Sequence, residues 1–166
     1  MSRTITVELQ EKGNNAERRF MQYLDAHDIH YVRIDQHPET LSAAFQTIAK
    51  RPDFEVFLDN IGSIMVDVKS LRFNKQYHNF TLDESEVQLL LQYELLTHRP
   101  VWLAITTDEI GHAVWFFISV QAVVTKTPKR MNSITLNVFR AITIEDCVVI
   151  GPNGGLGSLL CRSIDD

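Results

Sequence analysis

The sequence predicts an α/β fold with a central mixed β-sheet flanked by helices, on three observations. Apolar residues recur at helical spacing in two separate stretches, Ala16, Phe20, Met21, Leu24 and then Val87, Leu90, Leu91, Leu95. Between them, residues 53–69 alternate as two strands around a turn. Val101 to Thr106 is a short unbroken apolar run of the kind that fills a sheet interior. A hairpin followed by a helix and a further strand places helices on the faces of a mixed sheet.

Taken in order, Arg3 to Leu9 alternates like a short strand, and Glu11-Lys12-Gly13-Asn14-Asn15 offers a turn with an asparagine helix cap. A helix is expected from about Ala16 to His27, with Glu17 beside its apolar face. Ile29 to Ile34 reads as a strand, His37-Pro38-Glu39-Thr40 as a break, and Leu41 to Ala49 as a short helix.

The hairpin reads Asp53-Phe-Glu-Val-Phe-Leu58, then Asp59-Asn60-Ile61-Gly62, then Ser63-Ile-Met-Val-Asp-Val-Lys69. A three-residue loop of Asn60, Ile61 and Gly62, with Gly62 left-handed, pairs Glu55 with Asp67 and Asp53 with Lys69. Phe54, Val56, Leu58, Ile64, Val66 and Val68 then share one face, and Asp53, Glu55, Asp67 and Lys69 share the other. A two- or four-residue loop would separate Asp53 from Asp67.

Arg72 to Asn79 reads as a basic, polar loop. Thr81 or Asp83 can cap a helix from Glu84 to about Thr97, and Pro100 lies just past its end. Ala113 to Val124 and Ile134 to Ile150 look like further strands. The first of these is apolar enough to need covering, which suggests a homodimer. The whole chain, 1–166, is expected to form one domain, with its core in 14–106 and additional strands and a tail in 107–166.

Of 166 residues, 45% are hydrophobic and 22% charged, and no run approaches a membrane span of about 18 apolar residues. Without a secretory signal pattern at the amino terminus, a cytoplasmic location is expected. Two cysteines, Cys147 and Cys161, lack the spacing of a zinc site or disulfide framework and read as core or near-surface thiols. The net charge of -5 opposes nucleic-acid binding, yet Lys50-Arg51 and Lys69, Arg72, Lys75 cluster around the hairpin. Lys126, Lys129 and Arg130 form a further basic group. A solvated surface accounts for such clusters equally well.

Pro52-Asp53, Asp67-Val68-Lys69, Glu17 on the preceding helix and Gln88 on the following one give the chain a motif that resembles the PD-(D/E)XK nuclease superfamily. That superfamily includes restriction enzymes, Holliday-junction resolvases and repair nucleases. The order of elements over residues 14 to 106 also resembles its restriction-endonuclease-like core. The resemblance implies a metal-dependent endonuclease acting on nucleic acid, with DNA favoured. It implies Asp53 and Asp67 as Mg²⁺ or Mn²⁺ ligands, the Val68 carbonyl as a third, and Glu17 acting directly or through water. Lys69 would position water or stabilise phosphoryl charge, and Gln88 would complete the catalytic set; by their clustered charge, Lys50, Arg51, Arg72 and Lys75 are expected to contact nucleic acid. Such a group makes chemical sense: Mg²⁺ prefers oxygen ligands, and phosphodiester hydrolysis needs a polarising cation and an activated water.

An acid two residues before a lysine is common, and other readings stand beside this one. Asp53, Glu55, Asp67 and Lys69 also fit an exposed cross-strand charge ladder, and Glu17 fits an acid favoured in a first helical turn. Gln92 could replace Gln88. His27 and His30 lack a carboxylate partner, and the glycines of residues 151–157 lack the lysine of a phosphate loop. A catalytically inactive protein-interaction module of the same fold is the rival reading.

Overall fold

The computed structural model describes residues 2–111 and 113–159. Cys161 and the acidic tail lie outside them. The expected class is what is found: a mixed central sheet with helices on both faces. The first helix, α1 (Ser2–Ala26), runs through the residues expected to be a strand and a turn. Ile5 and Leu9 are four apart, so the same apolar residues that alternate also suit a helix. An interior glycine such as Gly13 costs a helix only about 1 kcal/mol.

Strand β1 (Tyr31–Arg33) is followed by a 3-10 turn at Pro38–Thr40 and by α2 (Ala43–Ile48), which Ser42 caps by accepting from the Phe45 N–H. The hairpin is β2 (Phe54–Leu58) and β3 (Gly62–Ser70). Its loop has three residues, but they are Asp59, Asn60 and Ile61, and the register pairs Glu55 with Met65 and Leu58 with Gly62. This is two residues from the expected register. A shift of two preserves faces, so Phe54, Val56, Ile64, Val66 and Val68 still share one core, while Met65 lies in the other. Asn60 is the left-handed residue at φ 62°, and Gly62 takes φ 135°, another conformation that suits glycine.

The expected loop after β3 contains β4 (Phe73–Asn74), which pairs with β5 (Asn79–Asp83). Asp83 caps α3 (Glu84–Thr97) by accepting from the Ser85 N–H. Val87, Leu90 and Tyr93 bury against the sheet, whereas Leu95, expected in that stripe, is 52% exposed. After α3, β6 (Val101–Thr106) runs parallel to β3 at the centre of the sheet.

The expected strand over 113–124 divides into β7 (Trp115–Ser119) and α4 (Val120–Lys126), because the Ser119 side chain accepts from the Ala122 N–H and starts a helix. Every residue of β7 is buried by the chain's own two cores, so no second subunit is needed to cover it. The expected strand over 134–150 is β9 (Val138–Thr143), a 3-10 turn and β10 (Val148–Ile150), with β8 (Lys129–Met131) paired to β9.

Six strands in the order β1-β2-β3-β6-β7-β10 make the central sheet, and β4-β5-β9-β8 make a second. On one face, Ala16, Phe20, Tyr23 and Leu24 of α1 pack on Phe54, Val66 and Val68. On the other, α2, α3, α4 and the second sheet close over Met65, Leu103 and Ile105. Cys147 is half-buried there, and burial pushes its thiol up to about 12. No described helix is long and apolar enough to cross a membrane.

Candidate functional site

Asp67 and Lys69 share a side of β3 with Met65, so they project toward α3 and away from α1. Asp67 is wholly buried. Its carboxylate lies against the Lys69 ammonium, and its other oxygen is 3.1 Å from the Lys50 Nζ. Glu86, from the first turns of α3, completes the cluster by reaching Lys50 at 2.7 Å and Lys69 at 2.8 Å. Two carboxylates thus alternate with two ammonium groups between β3, α3 and the segment after α2.

Asp53 joins this cluster from the strand beside it. β2 begins at Phe54, so on that edge β3 loses its strand partner beyond Val66, and the Asp53 carboxylate takes over by accepting from the Val68 N–H at 2.8 Å. Its backbone N–H continues the ladder to the Val66 carbonyl at 3.0 Å. Burial and the Asp67 charge push the Asp53 carboxyl up to about 7, against the smaller help of the Val68 N–H, Lys69 and Lys50. Burial disfavours the Lys69 ammonium, but Asp67 and Glu86 outweigh it and hold the amine well above its ordinary value. Burial likewise raises Glu86, yet Lys69 and Lys50 bring it down to about 2.

The expected site residues therefore divide. Asp53, Asp67 and Lys69 converge, with Lys50 beside them as a half-buried partner of two acids. Glu17 lies on α1, across the sheet from the cluster, and holds Arg33 of β1 at 2.8 Å. Gln88 donates to Glu84 at 2.8 Å, on another side of α3 from Glu86, and Gln92 is exposed. Glu55 is taken by Ser63 at 2.8 Å and by Arg99. Arg51 is tied to the Thr40 hydroxyl at 2.6 Å and the His37 carbonyl at 2.9 Å. Arg72 and Lys75 are exposed and line a cleft of about 560 Å³ with Phe73, Asn74, Thr81 and Glu109.

Sequence reasoning missed Glu86. It stands one residue before Val87 and four before Leu90, so helical spacing places it at the edge of the buried stripe. An acid there was the available signal.

Both Asp67 oxygens are buried, and the groups they face are the Lys50 and Lys69 ammonium groups. A wholly buried carboxylate, Asp67, beside a half-buried one, Asp53, with raised proton affinity is a fitting oxygen donor set for a hard divalent cation, which keeps several waters and needs only one or two protein carboxylates. No group of three or more His, Cys, Asp or Glu is arranged to hold a metal among the described residues.

No protein-family model matches the chain, and no curated protein matches it. Among solved structures it is similar to Hjc of Archaeoglobus fulgidus, a Holliday junction resolvase from an archaeal hyperthermophile. The two are 16% identical over 76% of this chain and 86% of that one, with a TM-score of 0.47.

Proposed function

We propose that the chain is a metal-dependent nuclease of the PD-(D/E)XK type that hydrolyses phosphodiester bonds in nucleic acid, DNA in the first instance. The observation that carries this is the convergence of Asp53 and Asp67 from adjacent strands with Lys69 two residues on, all on one side of the sheet. Asp53 and Asp67 would hold Mg²⁺ or Mn²⁺, with the Val68 carbonyl as a further donor. The bound cation would polarise a phosphoryl oxygen and acidify water. Lys69, fixed by Asp67 and Glu86, keeps a permanent positive charge for the developing negative charge of the transition state. Glu86 is the anchor that aims it. Glu17 and Gln88 have other partners, and in this reading they stay outside the reacting groups. A double-strand cut would take two such sites, hence a homodimer.

The test is nicking of plasmid and cleavage of labelled branched DNA and RNA with Mg²⁺ or Mn²⁺. Asp67→Asn and Lys69→Ala should each abolish cleavage. Asp53→Asn should do the same while keeping the fold, since an amide oxygen still accepts from Val68. Residual activity equal to wild type in all three would overturn the reading.

One observation favours a second reading. The two lysines already balance Asp67 and Glu86 without a metal, as in a purely structural buried network. A non-cutting, partner-binding domain of this fold would be indifferent to divalent cations. A nuclease should be stabilised by RT ln(1 + [L]/Kd), about 1.4 kcal/mol at roughly ten times the dissociation constant. Thermal melts with chelator and with metal separate the two.

A further inference from the structure

The hairpin formed by β8 and β9 breaks the usual rule for exposed turns, which are polar. Its tip carries Ile134 at 90% and Leu136 at 66% exposure, with Met131 and Val138 also exposed just below. The tip is built rather than loose. Asn132 Oδ1 accepts from the Ile134 N–H at 2.9 Å and the Thr135 N–H at 3.0 Å, and the Asn132 N–H donates to the Asn137 carbonyl at 2.9 Å. Leu136 is held left-handed at φ 57°, which costs a leucine roughly 1–2 kcal/mol. That cost and the loss of apolar burial are both retained at a site where the chain's own core gains nothing.

The charge around the tip points to what it meets. From Ile110 to Ile144 there is no acid, in a chain of net charge -5, while Lys126, Lys129, Arg130 and Arg140 all fall there. Buried Arg140 and exposed Lys129 both pair with Glu84, Lys129 at 2.9 Å, and so fix the root of the hairpin to the first turn of α3. Lys126 and Arg130 are exposed and carry no ion pair among the described residues. Glu84 stands two residues before Glu86, so one helical turn anchors both the hairpin and the site lysines. Leu136 lies two residues before the start of β9 and four before Arg140.

We propose that the β8–β9 hairpin is a nucleic-acid wedge: Ile134 and Leu136 press between base steps of a duplex while Lys126 and Arg130 take its phosphates. Apolar side chains that unstack a step, flanked by cations, are one way proteins hold and bend DNA from the minor groove. A wedge fixed rigidly to the α3 turn would set where the duplex lies relative to the cluster. This inference rests on the nuclease reading.

The test uses the full chain in chelator, so that nothing is cut, with duplexes carrying 2-aminopurine at successive positions. Wild type should raise emission at one step at a fixed spacing. Ile134→Ser with Leu136→Ser should lose that signal and bind at least about ten-fold more weakly, on the apolar area two such side chains bury. Lys126→Glu with Arg130→Glu should keep the fold and lower the salt dependence by about two phosphate contacts. Circular dichroism checks each variant. If wild type cleaves DNA with metal but the serine variant binds and unstacks as wild type does, the wedge is wrong and the nuclease reading survives. Sedimentation showing that the same substitutions dissociate a dimer, with DNA binding unchanged, overturns the wedge in favour of a contact between copies. A wild type that neither binds nor cuts any nucleic acid removes both readings.

Discussion

At the scale of single residues, the alternation of the hairpin made Asp53, Asp67 and Lys69 legible, because period two assigns faces without knowledge of the rest of the fold. Glu86 was not legible in the same way: it arrives by packing α3 on β3, while the Gln88 amide donates to Glu84. Asp53 carries a prediction that depends on sign. Its carboxyl rises from an ordinary value near 3.8 to about 7 in the folded protein. Between those values the folded state binds more protons than the unfolded one, so this residue's contribution is fully present below the lower pH and lost as pH rises through about 7. Asn is always neutral and still accepts from the Val68 N–H. In chelator, therefore, Asp53→Asn should match wild type near pH 4 and exceed it increasingly up to pH 8. The gain should be about 1 kcal/mol, less than the shift implies in a medium that relaxes. Melting curves across that range check it. A variant less stable than wild type at pH 8 would mean that Asp53 faces an attractive partner, as in a surface ladder.

Among the elements, α3 and β6 were legible to within a residue or two, because a capping aspartate, a helical stripe and an apolar run all agree. The strand and turn expected before Ala16 were wrong, since the alternating residues of Arg3 to Leu9 also satisfy a four-residue spacing. β7 and α4 were merged for a related reason: both are apolar, and only the Ser119 cap marks the change. The second sheet depends on long-range pairing of β5 with β9, which no local pattern encodes. Its attachment to α3 is a buried pair. The Arg140 guanidinium bonds both oxygens of Glu84 and the carbonyls of Val124 and Thr127, at 3.1 and 2.8 Å. Arg140→Met leaves Glu84 buried with less compensation and should destabilise the chain by about 3–5 kcal/mol, while Arg140→Met with Glu84→Met should recover a good part of that. Urea unfolding of the three proteins is the measurement. A single variant within 1 kcal/mol of wild type would mean that the second sheet is held by its apolar face alone.

For the molecule as a whole, the net charge of -5 argues against a polyanionic ligand, yet the fold places two pairs of exposed cations toward opposite edges of the second sheet. Arg72, 91% exposed, and Lys75 stand at the β4 edge, and Lys126 and Arg130 at the β8 end. Three inter-strand spacings separate β4 from β8, about 14 Å. Sites that far apart with no shared partner act independently. If a duplex lies across this sheet, each pair contributes its own released counterions, and log K should fall with log salt by about 0.9 for every phosphate contacted. Arg72→Glu with Lys75→Glu should therefore lower the slope by about two, and the four-fold variant by about four. The losses of binding free energy should add within about 0.5 kcal/mol. Anisotropy titrations at several salt concentrations, on the metal-free protein, provide both numbers. A slope unchanged by the first pair would mean that its cleft faces water when DNA is bound. Losses well short of additive would mean that the two edges never hold one duplex together, and that the positive charge of this acidic chain serves two separate contacts.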